Sequence, residues 1–390
     1  MTEASTDTVT PAPDENAPEP TPPPFTVFTV NQRRWIIFLT AFAGMFSPMS
    51  SFIFYPAINS IAKGLNATVE LVNLAVTTYM VVSGIVPALL GTAADKYGRR
   101  PVYIVALSIY LVANIGLALQ SSFPALLVLR MLQSAGSSGT ISFGYGIIAD
   151  ITTEDERGSY VGLMLVGPNV APPIGPILGG IMAAKLGWQW IFWLLAILGG
   201  FCLVLLVIAL PETSRSVVGN GSIPPNGIYR SLIPMGKQDR YQEKAEETIK
   251  KKEITLPNLL ASLKILLSFR LSNVLVCNAV AYTVYCCTQA SLSSLFIDVY
   301  GYRDLEAGLI YIPFGVACLV NTLIWGKILD RDYAQAAKRH GITTKQAKSK
   351  TDPTFPLETA RLRSSFSLVG MASVAACSFG WAIQAKTQFL

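Results

Sequence analysis

Nine stretches of this chain are each apolar enough, over a sufficient length, to cross a lipid bilayer, and no other feature restricts its folding so severely. They cover residues 35–58, 71–90, 102–119, 125–148, 161–184, 190–210, 274–297, 309–328 and 364–383, and most contain no charge. A helix needs about 20 mostly apolar residues to span hydrocarbon, where every backbone amide must find its partner inside the protein. Runs this continuous are expected to be helices, because the strands of a membrane barrel alternate polar and apolar residues over about ten positions. The composition agrees. Of the 390 residues, 51% are hydrophobic and 14% charged, where a soluble domain carries about 25% charged residues. The expected fold class is an all-α polytopic membrane protein, with the lipid bilayer as its first partner.

The charges that remain exclude several functions. The net charge of +6 is gathered in short blocks between apolar runs, so no nucleic-acid partner is expected. His340 is the sole histidine, and Cys202, Cys277, Cys286, Cys287, Cys318 and Cys377 lie in or beside apolar runs. Their spacing is neither that of a zinc site nor that of a disulfide framework. With no nucleophile–base pair and no nucleotide-binding loop, the chain reads as no enzyme, with no metal and no cofactor.

Orientation follows from the basic residues. Residues 1–32 are rich in Pro, Thr, Ala and acid, lack Lys and Arg, and read as a disordered cytoplasmic tail rather than a signal peptide. With that end inside, the outer loops hold only Lys63, Lys185, Arg303 and Lys386, and Arg130 lies within a run, which leaves 25 of the 30 basic residues on the cytoplasmic side. Asn66-Ala67-Thr68 then falls in the first outer loop, making Asn66 a candidate N-glycosylation site, while Asn220-Gly221-Ser222 faces the cytoplasm and stays unmodified. A polar loop at 211–270 carries Lys250-Lys251-Lys252 and separates six runs from three. The expected organisation is a tail (1–32), a complete six-helix bundle (33–210), a cytoplasmic linker (211–270) and a partial second bundle of three helices (271–390).

Three short patterns carry more information. After the second run stands Gly91-Thr92-Ala93-Ala94-Asp95-Lys96-Tyr97-Gly98-Arg99-Arg100-Pro101. Gly91 is expected to let helices approach, Asp95 to face a helix N-terminus, Gly98 to permit a tight turn and Pro101 to start the next helix. The fourth run contains Arg130, with Gln133 and Ser137 on the same helical face at i+3 and i+7. An arginine inside an apolar helix normally faces a cavity or a partner, or snorkels to the interface. The fifth run is crowded with helix breakers: Gly162, Gly167-Pro168, Pro172-Pro173, Gly175-Pro176 and Gly179-Gly180. In a membrane these serve kinks and close helix packing.

The first pattern resembles the signature loop of the major facilitator superfamily, Gly-x-x-x-Asp-x-x-Gly-Arg-Arg. The second is similar to the family's Arg-x-x-Gln-Gly motif, with Ser134 in place of Gly. The third resembles the antiporter motif of its drug:proton branch, with Ala171 in place of the first Gly. Gly326-Lys327-Ile328-Leu329-Asp330-Arg331-Asp332 echoes the first loop, as parallel repeats require. Phe355-Pro356-Leu357-Glu358-Thr359-Ala360-Arg361-Leu362-Arg363 and the first run, with Phe46-Ser47-Pro48 and Tyr55-Pro56, look like fungal members with twelve spans. The resemblance implies export of small organic compounds (drugs, toxins or secondary metabolites) by alternating access and proton antiport at the plasma membrane. It also implies that three spans are missing after Leu390. The alternatives are an uptake carrier or facilitator for a nutrient or chelate, and a truncated membrane protein that does not transport. No acid lies deep in any run, so the sequence names no proton carrier. A stripe on the seventh run, Asn278, Tyr282, Tyr285 and Gln289, joins Arg130, Gln133 and Ser137 as a candidate substrate or proton pathway.

Overall fold

The computed structural model describes residues 25–233, 269–318 and 365–385, with residues 331, 335, 338 and 339. Regular structure among the described residues is helical throughout. Helix α1 (Val30–Gly44) starts in a capping box: Gln32 N donates to the Thr29 hydroxyl, and Thr29 N donates to Gln32 Oε1 at 2.9 Å. The first run is not one continuous α-helix. After α1 come α2 (Phe46–Phe52), a 3₁₀ turn over Tyr55–Ala57 and α3 (Ile58–Gly64). Pro56 has no amide hydrogen to continue the ladder, which favours a break at this point.

Helix α4 (Val69–Tyr97) is capped by Thr68 and leads through Gly98 into α5 (Arg99–Leu119). The fourth run divides into α6 (Phe123–Ser137) and α7 (Thr140–Ile151). Helix α8 (Glu154–Lys185) remains one 32-residue helix with Pro168, Pro172, Pro173 and Pro176 inside it. Helices α9 (Gln189–Ala209) and α10 (Arg215–Val218) complete the first part. Beyond residue 268 lie α11 (Phe269–Tyr300), α12 (Asp304–Leu309) with further helix at 311–318, and α13 (Ser365–Gln384). Among the described residues, six helical segments are long and apolar enough to cross a membrane, counting the broken first span Val30–Gly64 as one.

Helix α5 shows how the pattern becomes a bundle. Tyr103, Ala106, Leu107, Tyr110, Ala113, Asn114 and Leu117 are buried at the i, i+3, i+4, i+7 spacing of one helical face. That face packs between α6 and α9. Val105, Val112 and Leu119, on other faces, are exposed. An apolar outer surface around an interior that holds amides and hydroxyls is what a bilayer, rather than water, would cover.

Two boundaries differ from the sequence reading. Helix α1 begins at Val30, inside the segment 1–32 assigned to the tail, and residues 211–233 pack against the bundle end. Val27 N donates to the Asn220 carbonyl at 3.1 Å, Ile233 N to the Ile208 carbonyl at 3.1 Å, and the Arg215 guanidinium lies 3.9 Å from the Phe25 ring centroid. Aromatic surface and backbone partners near both segments account for their order, and polarity alone concealed them. Residues 1–24 and 234–268, the segment 355–363 and most of the echo at 326–332 lie outside the described residues.

Candidate functional site

Arg130 is brought to the interior by α6, whose buried face also holds Gln133, Ser134, Gly136 and Ser137. It is 0% exposed, so it does not snorkel to the surface. Its Nη1 donates to the Ser50 carbonyl at 3.0 Å and to Gln133 Oε1 at 2.7 Å. Gln133 Nε2 donates to Asn114 Oδ1 at 2.7 Å, and Asn114 Nδ2 to the Tyr110 carbonyl at 2.8 Å. The Tyr110 and Ser50 hydroxyls lie 2.8 Å apart, which closes the network onto α2. Ser137 donates to the Gln133 carbonyl at 3.1 Å, and its hydroxyl also lies 3.1 Å from that of Tyr79. The rings of Phe54 and Tyr79 each lie with their centroid 4.4 Å from the Arg130 guanidinium carbon. Arg130, Gln133 and Ser137 therefore meet as the helical spacing requires. Ser50, Phe54, Tyr79, Tyr110 and Asn114 join them, and the sequence reading gave none of these a place in the pathway. Asn114 was the readable signal: an amide inside an otherwise apolar run.

The glycines and prolines of α8 serve two joints. A Cβ at Gly167 would strike the Ala41 carbonyl oxygen, and one at Gly179 the Ile53 carbonyl oxygen, while one at Gly175 would lie 3.1 Å from the Ile53 amide nitrogen. These three hold α8 against α1 and the end of α2. Pro168 packs on Gly44. The backbone at Pro176 and Gly180 meets Gly308 of α12, and Pro173 meets Gly315. Helix α8 thus sits between the first bundle and the helices that follow residue 268.

The loop pattern at 91–101 is a set of polar contacts. Gly98 has φ 92°, a left-handed conformation that favours glycine. Asp95 pairs with Arg99 at 2.5 Å, and Arg99 Nε donates to Asp150 Oδ2 at 3.2 Å. With no side chain at Gly98 to cap α5, Glu212 does so from the far end of the bundle sequence, accepting from the Arg99 and Arg100 amides at 2.9 and 3.2 Å. Arg100 donates to the carbonyls of Ile228 and Val207. Asp95 pairs along its own turn, and the acid that reaches the N-terminus of α5 is Glu212. An acid just past the sixth run, facing an uncapped helix start, was the available signal. Burial pushes the Asp150 carboxyl up to about 6, against the opposing pull of Arg99. Gly91 makes no close approach: a Cβ there would meet nothing within 4 Å among the described residues.

On α11 the stripe is graded. Gln289 is buried, Tyr285 half-buried, and Asn278 and Tyr282 exposed. Tyr285 lies with its ring centroid 5.8 Å from Phe52, 6.0 Å from Phe314 and 5.9 Å from Tyr282. The Tyr311 hydroxyl donates to the Gln289 carbonyl at 2.6 Å. The joint is therefore closed around 285–311 and exposed toward residue 278. Asn66, with φ 51°, lines an open hollow with Lys63, Asn59, Tyr302 and Arg303.

Apolar helices around a buried polar network, jointed through a glycine- and proline-rich helix, define a multi-pass membrane protein of the transporter type rather than an enzyme. The chain belongs to the Major Facilitator Superfamily, whose sequence profile matches residues 40–387. It is 37% identical over 365 residues to the MFS-type transporter phiD of a fungal species, covering 93% of this chain and 55% of the relative. It is 35% identical over 364 residues to Citrate exporter 1 of Aspergillus niger, covering 92% of this chain and 70% of that protein. The chain thus spans about half the length of the first relative and just over two thirds of the second. Among solved structures, a D-xylose-proton symporter shares the fold with a TM-score of 0.52 and 16% identity, over 76% of this chain and 69% of that one.

Proposed function

We propose that this protein exports small organic compounds (drugs, toxins or secondary metabolites) by alternating access, coupled to inward movement of protons. The N-terminus and the 211–270 linker lie in the cytoplasm, and the membrane is the plasma membrane. The observation that carries this reading is the joint made by α8: small residues on one side seat it on α1 and α2, and Pro173, Pro176 and Gly180 seat α12 and its continuation. Such contacts let two helical units rock without filling or emptying a core. Asn278 and Tyr282 lie in the half of α11 that follows the linker, where a pathway opening to the cytoplasm would begin. The distribution of basic residues supports the same orientation, and Asn66 then lies outside as the candidate glycosylation site. The similarity to Citrate exporter 1 of Aspergillus niger supports export over uptake.

The test is transport into inside-out vesicles carrying the protein, with rhodamine 6G and radiolabelled benzoate as probes and an imposed pH gradient, acid inside. Accumulation of either probe that collapses with the gradient is expected. Equilibration of a probe regardless of the gradient would replace the antiporter by a facilitator, and no movement of either probe would remove the export reading.

A further inference from the structure

Arg130 uses only part of its hydrogen-bonding capacity. Its Nη1 is committed to Ser50 and Gln133. Its Nε and Nη2 are buried and have no partner among the described residues. Those two nitrogens form one edge of the guanidinium, the edge that grips a carboxylate with two parallel bonds. Arg130 forms no ion pair among the described residues. The one buried carboxylate there, Glu212, is committed to the amides at the start of α5. Removing a guanidinium from water without a counter-charge is costly, and the rings of Phe54 and Tyr79 offset part of that cost without supplying a counter-charge.

We propose that the free Nε–Nη2 edge of Arg130 is a binding point for a carboxylate group, so that the exported compounds include organic acids whose charged end docks on this arginine. The inference rests on the export reading and adds a substrate class to it. A carboxylate supplies the two missing acceptors and the missing negative charge together. The aromatic rings over the guanidinium favour an acid with an apolar or aromatic body, as do Phe52, Tyr282 and Tyr285 at the joint beyond. Access runs through the break in the first span. Phe54 lies between α2 and the 3₁₀ turn, beside Tyr55, whose ring centroid is 5.4 Å from that of Phe52, and Phe52 in turn lies 5.8 Å from Tyr285 of α11. Docking requires a shift of the first span at this break, since the guanidinium is 0% exposed.

The full chain in lipid nanodiscs, with radiolabelled benzoate and methyl benzoate as probes and empty nanodiscs subtracted, tests the proposal by equilibrium dialysis. Saturable benzoate binding is expected, with no saturable binding of the ester. Arg130→Gln weakens benzoate binding about tenfold or more, because charged hydrogen bonds are lost. Arg130→Lys loses part of it, since an ammonium keeps the charge without the fork. Absence of benzoate binding to the unaltered protein, or equal saturable binding of acid and ester, overturns the proposal, and neither comparison needs a variant to fold. Unchanged binding by a monodisperse Arg130→Gln protein also overturns it. Gradient-driven rhodamine 6G transport without benzoate binding leaves the export reading standing and removes the carboxylate site. Arg130-dependent benzoate binding without movement of any probe does the reverse.

Discussion

Asp150 stands two residues beyond the apolar run 125–148 and is coupled to three charged neighbours. Arg99 and Arg215 favour its ionised form, and Asp95 opposes it. Burial is the largest influence, and it sets the carboxyl near 6 in the folded protein against 3.8 for an ordinary aspartate. The folded state therefore binds a proton that the unfolded state has already released across this window. Its contribution to stability is greatest near pH 4 and declines as pH rises through about 6, where the buried carboxylate must ionise. Asp150→Asn removes this titration. The melting temperature of the unaltered protein minus that of Asp150→Asn should rise as pH is lowered from 7 to 4.5, measured by scanning fluorimetry in detergent. A flat difference would mean that Asp150 ionises freely in the folded state. The sequence showed this acid at the end of a run, but not that Arg99 and Arg215 would converge on it from residues 51 and 65 positions away.

Helix α8 holds four internal prolines and stays helical because neighbouring elements press on it at defined points. Its glycines differ in what they do. Gly179 faces the Ile53 carbonyl with no room for a methyl group, whereas a Cβ at Gly162 would meet nothing within 4 Å among the described residues. Gly179→Ala should destabilise the protein by about 1–3 kcal/mol through overpacking. Gly162→Ala should be neutral or stabilising by up to about 1 kcal/mol, since alanine is the better helix former. Thermal unfolding of the two variants side by side decides the matter, and equal effects would show that α8 does not seat on the first span as described. The breaker-rich composition of the fifth run was legible from the sequence as a packing device. Which glycine meets which carbonyl was not, because that depends on the rotation of α8 relative to partners more than 100 residues away.

Across the whole molecule, the two sets of helices meet through α8, α11 and α12, tightly around Gln289 and Tyr311 and loosely toward Asn278. Single cysteines at 278, 282, 285 and 289, in a background with the six native cysteines replaced, should react with a water-soluble maleimide in the order of their exposure. Positions 278 and 282 should label quickly and 289 slowly. Labelling at 289 as fast as at 278 would indicate a joint open along its length. The length and continuity of the apolar runs by themselves determined that this chain is a bundle of membrane-spanning helices, since such runs have no other way to satisfy their backbone in lipid. Local spacing also determined that Arg130, Gln133 and Ser137 share a face and that Gly98 makes a turn. Only the tertiary structure decided that the first span is broken beside Arg130, that Glu212 caps α5, and that two nitrogens of a buried guanidinium are left without partners among the described residues. Those outcomes depend on side chains from different helices competing for the same few acceptors, and a linear pattern does not record which of them arrives.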